Sequence, residues 1–206
     1  MNPIDSHIES ILKNFTEGEY YDLLIKAKDI YVDLTGKMDE EASEYESRMN
    51  TFNDWFIFNF RRDDNRRVID DYIKKFEIEA SLSKSFHNIN YSLFQFVKIN
   101  FRKQIILKDI LHNEKFTLRP EDCKLALLED DIFVGRLVSH EDKSFLLKGV
   151  CTLPRETLSN LKKEAKRVRK LNSDTEEEKF LLKLEKLKTK SLHYGHINSE
   201  KIFIFK

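Results

Sequence analysis

The residue types best suited to metal chemistry in this chain are six histidines and two cysteines. Only His193 and His196 approach the spacing of metal ligands, within the segment His193-Tyr194-Gly195-His196. Zinc is held by three or four protein ligands, and neither a cysteine nor an acidic cluster lies close to this pair in sequence. Gly195 is also typical of a helix end. We therefore predict no metal site.

A second candidate is the acidic run Glu129-Asp130-Asp131, because adjacent carboxylates split their pKa values and also suit a cation. The run lies in a predicted turn beside a strand, which favours a solvated turn over an acid/base pair. The two cysteines, Cys123 and Cys151, lack the spacing of a zinc site or a redox pair, and we expect two buried free thiols.

Nucleophilic and nucleotide-dependent chemistry leave no local signature in the sequence. There is no Gly-x-Ser-x-Gly segment and no glycine-rich phosphate loop, and Gly135 lies within a strand pattern, where glycine marks a bulge or a close backbone approach. We predict no catalytic residue and no bound cofactor, so an enzyme is the less favoured interpretation. An active site assembled from distant residues would leave no such pattern, and that alternative stays open.

The strongest candidate for a binding surface is the segment from Arg155 to Lys170. It contains seven basic residues against two acidic ones, Glu156 and Glu164, on a predicted helix whose other face is apolar. Clustered cations bind acidic partners and release counterions from nucleic acid. An ordinary solvated face, balanced by acidic residues 176–178, is the alternative. The candidate partner-binding residues are Lys162, Lys163, Lys166, Arg167, Arg169 and Lys170.

The elements that must position these residues can be predicted from hydrophobic periodicity. Apolar residues at helical intervals indicate two helices over residues 4–36, with Gly36 as the stop of the second. A third helix is expected to open near residues 39–41 and to carry the aromatic run at 52–60, whose apolar character on nearly every side indicates burial. A solvated turn at 61–67 and a further helix follow.

From residue 91 onward the period changes to that of β-strands. Strands are predicted over five segments separated by turn residues, which favours a small antiparallel meander or a partly closed barrel. These segments are 93–101, 105–111, 115–119, 132–138 and 144–153.

The C-terminal part predicts a helical hairpin. Pro154 fits the first turn of one helix, and Ser173 with Glu176 has the spacing of a capping box at the start of the next. The last apolar residues, 202–205, are a candidate for a further strand. The predicted class is α+β, with a helical region over 1–90, an antiparallel β region over 91–154 and the hairpin over 155–206, packed as one compact unit.

The composition excludes several classes of protein. Apolar residues make up 40% and charged residues 35% of the 206 residues, which is too apolar for a disordered chain and too charged for a membrane protein. Lys plus Arg and Asp plus Glu both number 36, so no net charge draws the chain toward nucleic acid or an anionic membrane. We expect a cytoplasmic protein without membrane association.

The order of signals from Phe52 to Pro154 resembles a widespread, poorly characterised bacterial family whose members often carry a SEC-C zinc motif at one end. The resemblance implies a shared helical and sheet scaffold of unassigned activity. The cysteine-rich SEC-C element is absent from this sequence, and with it the zinc chemistry proposed for that element. The resemblance rests on four segments of core type: Asp54-Trp55-Phe56-Ile57-Phe58, Ser92-Leu93-Phe94-Gln95-Phe96, Leu107-Lys108-Asp109-Ile110-Leu111 and Asp131-Ile132-Phe133-Val134-Gly135-Arg136-Leu137-Val138.

The leading hypothesis is a non-enzymatic protein-interaction or regulatory module with an unidentified protein partner. The first alternative is a nucleic-acid-associated regulator that uses the basic helix at residues 155–170. The second alternative is an enzyme with a dispersed active site. The sequence also leaves room for a homodimer.

Overall fold

The computed structural model describes residues 3–123 and 125–205. Within them the N-terminal part forms five α-helices, and the pair of helices expected over residues 4–36 is confirmed. Gly36 follows the second helix with a φ of 93°, a left-handed conformation that favours glycine. The helices are α1 (Pro3–Phe15), α2 (Tyr21–Thr35), α3 (Tyr45–Phe58), α4 (Val68–Phe76) and α5 (Ala80–His87).

The third helix begins later than predicted. The amides of Ala42 and Tyr45 donate to carbonyl oxygens three residues earlier, at 3.2 and 3.0 Å, so residues 39–45 form successive tight turns. An α-helix uses bonds that span four residues. The acidic residues at 39–41 therefore precede α3 instead of occupying its first turn.

A curled antiparallel half-barrel in the middle of the chain confirms the α+β class. The strand order is β3-β2-β1-β4-β5. β6 pairs with the first residues of β4, whereas β5 pairs with the last residues of β4. The strands are β1 (Asn90–Ile99), β2 (Ile105–Asp109), β3 (Lys115–Leu118), β4 (Ile132–His140), β5 (Lys143–Leu146) and β6 (Cys151–Leu153).

The segment 144–153, predicted as one strand, contains two strands joined by a turn. Gly149 in this turn donates its amide to Oδ2 of Asp54 at 2.9 Å, which fixes the turn against α3. A Cβ on Gly149 would lie 2.3 Å from that oxygen and 2.7 Å from the carbonyl oxygen of Asn50. The chain leaves the sheet at this point to pack closely on α3.

The C-terminal part contains the predicted helical hairpin, formed by α6 (Leu158–Arg169) and α7 (Asp174–His193). The side chain of Ser173 makes no capping hydrogen bond, so the predicted capping box is wrong. The further strand predicted over residues 202–205 is wrong: Ile202 ends a short helix, α8 (Ser199–Ile202), and residues 203–205 form no strand. The side chain of Asn198 accepts a hydrogen bond from the amide of Glu200, which starts a helix at this position.

Two groups of helices pack against the sheet. α6 and α7 cover Leu93 and Val134 on one face, and α1 to α5 form a second cluster with the end of the sheet at β4 and β5. The predicted burial of the aromatic run is confirmed, since Trp55, Phe56 and Phe58 are 4%, 0% and 5% exposed. None of the helices formed by the described residues has the length and apolar character needed to cross a bilayer.

Candidate functional site

Helix α6 carries the cationic surface that the sequence predicts. Its apolar stripe of Leu161, Ala165 and Val168 is at most 3% exposed and packs in the cluster that includes β1 and α7. Because successive residues are rotated by about 100° around a helix, the basic residues between these positions point away from the core. The exposed basic side chains include Lys162, Lys163, Lys166 and Lys170.

Two of the six predicted partner-binding residues are engaged within the molecule. Arg167 forms a salt bridge with Glu164 at 2.6 Å, and this hydrogen bond raises the pKa of the guanidinium. Arg169 donates to the carbonyl oxygen of Leu111, just beyond β2, at 3.3 Å. Arg167 is therefore paired within α6 and Arg169 attaches the helix to the residues after β2, so the cations left for a partner are lysines.

Lys162, Lys163 and Lys166 of α6, together with Lys170 directly after its last residue, are called the four exposed lysines of α6. They form no ion pair with any residue that the structure describes. Lys162, Lys166 and Lys170 are four residues apart, so their α-carbons rise by about 6 Å from one to the next. An acidic helix with carboxylates four residues apart has the same spacing. The exposed side of α6 is therefore complementary to a regular row of carboxylates.

Two further lysines lie on the face of the sheet that α6 and α7 cover. Lys108 of β2 lies directly opposite both Lys115 of β3 and Gln95 of β1. Side chains alternate between the two faces of a strand, so Gln95 shares the face of Leu93, which α6 and α7 cover. Like charges placed directly opposite each other destabilise a sheet, and neither lysine has an ion-pair partner in the described part of the chain. We refer to Lys108, Lys115 and the four exposed lysines of α6 as the lysine face.

The acidic run at residues 129–131 stabilises a loop. Glu129 Oε1 accepts a hydrogen bond from an amide of β1 at 3.0 Å, and Asp131 Oδ2 accepts one from the amide of Leu128 at 2.7 Å. The other carboxylate oxygen of Asp131 forms a salt bridge with Arg155 at 2.7 Å. These bonds hold the turn that the sequence predicts at this position.

The histidines and cysteines are dispersed. Among residues 3–123 and 125–205, no group of three or more His, Cys, Asp and Glu side chains is placed to hold a metal ion. His193 is the last residue of α7, as the helix-end interpretation of Gly195 predicts. Both thiols are free, Cys123 buried and Cys151 half-buried, and burial raises the pKa of each.

A polar cleft of about 640 Å³ opens where the ends of several elements meet. It is bordered by the C-terminal ends of α3 and α5, the start of β1, the turn between β2 and β3, and the N-terminal end of α7. Phe58 contributes part of its apolar wall. Converging ionisable groups in a cleft are what a dispersed active site requires. The ionisable residues of the lining are Arg61, Arg67, His87, Tyr91, His112, Glu114, Asp174, Glu177 and Glu178.

His112 is the histidine of the cleft whose pKa is strongly shifted. Its Nδ1 lies 2.8 Å from Oδ2 of Asp109, and its Nε2 lies 3.0 Å from Oε2 of Glu177 on α7. The hydrogen bonds to Asp109 and Glu177 outweigh the opposing effect of burial and raise the pKa of the imidazole to about 9. Burial alone would raise the pKa of Asp109, but hydrogen bonds from His112, Ser92 and Asn90 lower it. At neutral pH His112 is a cation that ties the β2–β3 turn to α7.

A buried polar network crosses the core where four elements meet. Glu185 of α7, 5% exposed, accepts hydrogen bonds from the hydroxyls of Tyr31 on α2 and of Tyr91 on β1, the latter at 3.0 Å. The guanidinium carbon of Arg136, a fully buried residue of β4, lies 3.8 Å from the centre of the Tyr91 ring. Arg136 also donates to Oδ1 of Asn59 at 3.1 and 2.8 Å.

The charges of this network compensate each other. Burial raises the pKa of the Glu185 carboxyl, whereas the Tyr31 hydroxyl, the Arg136 cation and the Tyr91 hydroxyl oppose that rise. Glu185 also borders a cavity of about 290 Å³ between α2, α3 and α7. Sequence reasoning missed both Glu185 and Arg136. The available signal was Arg136 itself, because it is the one charged residue in the otherwise apolar run from Ile132 to Val138.

Comparison with known proteins identifies the family. Neither a curated protein nor a solved structure is detectably similar to the chain. The resemblance to an uncharacterised family is supported, but its association with the SEC-C motif is not. A family model matches residues 7–191, which span most of the helices and the whole sheet. The chain belongs to DUF7986, a family of unknown function.

Proposed function

We propose that this protein is a non-enzymatic interaction module whose lysine face binds an acidic segment of a protein partner. The observation that carries the proposal is the contrast within α6. Arg167 and Arg169 are bonded inside the molecule, whereas four lysines are exposed without an ion pair in the described part of the chain. The opposed pair Lys108 and Lys115 adds uncompensated charge on the neighbouring sheet.

A protein partner is favoured over nucleic acid by charge and by residue type. The formal net charge is zero, so no long-range field concentrates a polyanion at the surface. Lysine is a point charge without the guanidinium fork that binds phosphate and guanine in a bidentate manner. The row of lysines at four-residue spacing instead suits carboxylates on a helix of the partner.

The polar cleft is weaker evidence for an enzyme than α6 is for a binding surface. A general base must offer a lone pair, but the His112 imidazole is protonated at neutral pH and both of its nitrogens are bonded to carboxylates. The buried Glu185 is bonded to two tyrosine hydroxyls within the core. Both groups have structural roles that account for their geometry.

The test is fluorescence anisotropy with a labelled helical peptide that carries glutamate at every fourth position. A variant of the lysine face is compared with a control variant of equal charge on exposed lysines of α1, α4 and α5. We expect the peptide to bind at low salt, with the affinity lowered about tenfold or more in the face variant and unchanged in the control. The face variant is Lys162→Glu, Lys166→Glu and Lys170→Glu, and the control is Lys13→Glu, Lys74→Glu and Lys84→Glu.

Short single-stranded and duplex oligonucleotides are titrated in parallel under the same conditions. The partner would be nucleic acid, and not protein, if the oligonucleotides bind more tightly than the peptide and if this binding is lost in the face variant but not in the control. Equal losses of affinity in the face and control variants would show that the interaction is a nonspecific attraction between charges. Absence of binding by either ligand at low salt would refute the proposal.

A further inference from the structure

The tip of the β1–β2 hairpin exposes large apolar residues to water. Phe101 is 90% exposed, and Ile99 and Leu128 are 53% and 67% exposed. Leu128 belongs to the adjoining loop, which is bonded to β1 through the carboxylate of Glu129 and the amide of Ile99 at 3.0 Å. We define the hairpin tip by these three apolar residues and by the exposed cations next to them in the hairpin, Lys98, Arg102 and Lys103.

The hairpin tip is held in a fixed conformation. The side-chain oxygen of Asn100 accepts hydrogen bonds from the amides of Arg102 and Gln104 at 2.9 and 3.0 Å, and its side-chain amide donates to Oε1 of Gln104 at 2.9 Å. Lys103 completes the turn with a φ of 58°. A preformed turn loses little conformational freedom on binding, so Phe101 has the properties of an interface anchor.

A complementary surface lies on α2. Tyr21 and Ile25, one turn apart, are 55% and 41% exposed. Asp22 and Asp29 are separated by seven residues, or two helical turns, and so lie on one side of the helix next to this apolar pair. Both aspartates are exposed, and neither forms an ion pair with a residue that the structure describes. We refer to Tyr21, Asp22, Ile25 and Asp29 as the α2 patch.

The hairpin tip and the α2 patch lie at different ends of the molecule. The ring of Tyr20, next to the α2 patch, lies 4.6 Å from that of Phe15, which in turn contacts Tyr72 of α4. Asp70 of α4 lies 3.3 Å from His87 at the end of α5, and β1 starts at Asn90 directly after α5. It ends at Ile99, and ten residues in a strand extend over about 30 Å. The two surfaces of one chain therefore do not reach each other, but the tip of one copy can reach the patch of another.

We infer that the protein associates head to tail, with the hairpin tip of one copy docked on the α2 patch of a second copy. The tip has three exposed cations against the carboxylate of Glu129, and the patch has two exposed aspartates beside Lys26, which is paired with Asp63. Each surface therefore combines exposed apolar side chains with a net charge, and the two net charges are opposite in sign. Phe101 and Ile99 would pack against Tyr21 and Ile25, and the tip cations would face Asp22 and Asp29. Such a contact joins two different surfaces, so a dimer still has one free tip and one free patch to which further copies can bind. This interaction is independent of the lysine face.

Sedimentation velocity of the full-length chain over a range of concentrations tests the inference. The wild type is expected to form dimers and larger species as concentration rises. Phe101→Ser is expected to weaken association about tenfold or more, whereas Tyr194→Ser, at an exposed aromatic residue after α7, is expected to leave it unchanged. Circular dichroism of each variant verifies that it is folded.

A mixing experiment distinguishes a head-to-tail contact from other modes of association. Phe101→Ser retains an intact α2 patch, and the double variant Asp22→Lys with Asp29→Lys retains an intact hairpin tip. Each should be monomeric alone, and an equimolar mixture should stop at a heterodimer, since the second interface is blocked on both sides. A wild type that stays monomeric up to about 1 mM would overturn the inference. Association that persists in Phe101→Ser, or a mixture without heterodimers, would also overturn it.

Discussion

The clamp around His112 predicts a specific dependence of stability on pH. The imidazole has a pKa of about 9 in the folded protein against an ordinary value of 6.5, because Asp109 and Glu177 stabilise its charged form. A group whose pKa is raised by folding stabilises the folded state fully below the unfolded pKa. That stabilisation is lost as the pH rises from about 6.5 through about 9.

The size of this effect follows from the shift in pKa. One unit corresponds to about 1.4 kcal/mol, so the clamp contributes at most about 3 kcal/mol. The His112 side chain is 32% exposed, and solvent screening reduces the expected value to about 1–2 kcal/mol. The variant His112→Gln retains a hydrogen-bond donor but does not titrate.

Urea unfolding of both proteins between pH 6 and pH 10 measures the effect. We compare the free energy of unfolding of the wild type with that of His112→Gln at each pH. The advantage of the wild type should be about 1–2 kcal/mol larger at pH 6 than at pH 10. The variant His196→Gln, on the exposed turn after α7, serves as the control. A difference between wild type and His112→Gln that stays constant over this range would refute the assignment of His112 as a clamped cation.

Three further predictions concern buried groups. Gly149→Ala is expected to destabilise the protein by about 2 kcal/mol or more in urea unfolding, because the new Cβ would lie 2.3 Å from a carboxylate oxygen of Asp54; wild-type stability would contradict the tight packing of this turn. Arg136→Met should lower the free energy of unfolding by about 3–5 kcal/mol, because it leaves Glu185 without its opposite charge. Adding Glu185→Gln to Arg136→Met should recover part of that loss. Additive losses in the double-mutant cycle would show that the two charges are not coupled. Burial raises the pKa of Asp54 to about 6, so lowering the pH from 7 to 5 should stabilise the wild type relative to Asp54→Asn by about 1 kcal/mol; an unchanged difference would place Asp54 in a solvated environment.

The fold could be predicted from the sequence wherever one local pattern decides the structure. The stripe of Leu161, Ala165 and Val168 predicts both α6 and the side on which its lysines lie. Gly36 marks the end of α2 because only the backbone conformation at that residue is involved. The break between β5 and β6 depends instead on Asp54, which is far away in sequence, so no local pattern predicts this break.

The candidate site could be predicted only in part for the same reason. The basic residues of α6 are close together in sequence, so the sequence alone predicts a cationic surface on this helix. Whether a given cation is free depends on distant partners: Arg169 is bonded to Leu111, which the helix pattern does not indicate. The Glu185 network combines residues of four elements, and only the charge of Arg136 inside an apolar strand pointed to it.

The central claim is that the lysine face binds carboxylates on a protein partner. Titration of the isotope-labelled full-length protein with the glutamate-rich helical peptide, followed by amide and lysine side-chain chemical shifts, locates the contact directly. We expect the largest saturable changes at Lys162, Lys166 and Lys170, with smaller ones at Lys108 and Lys115. Changes confined to the cleft around His112, or scattered over lysines throughout the molecule, would contradict the claim.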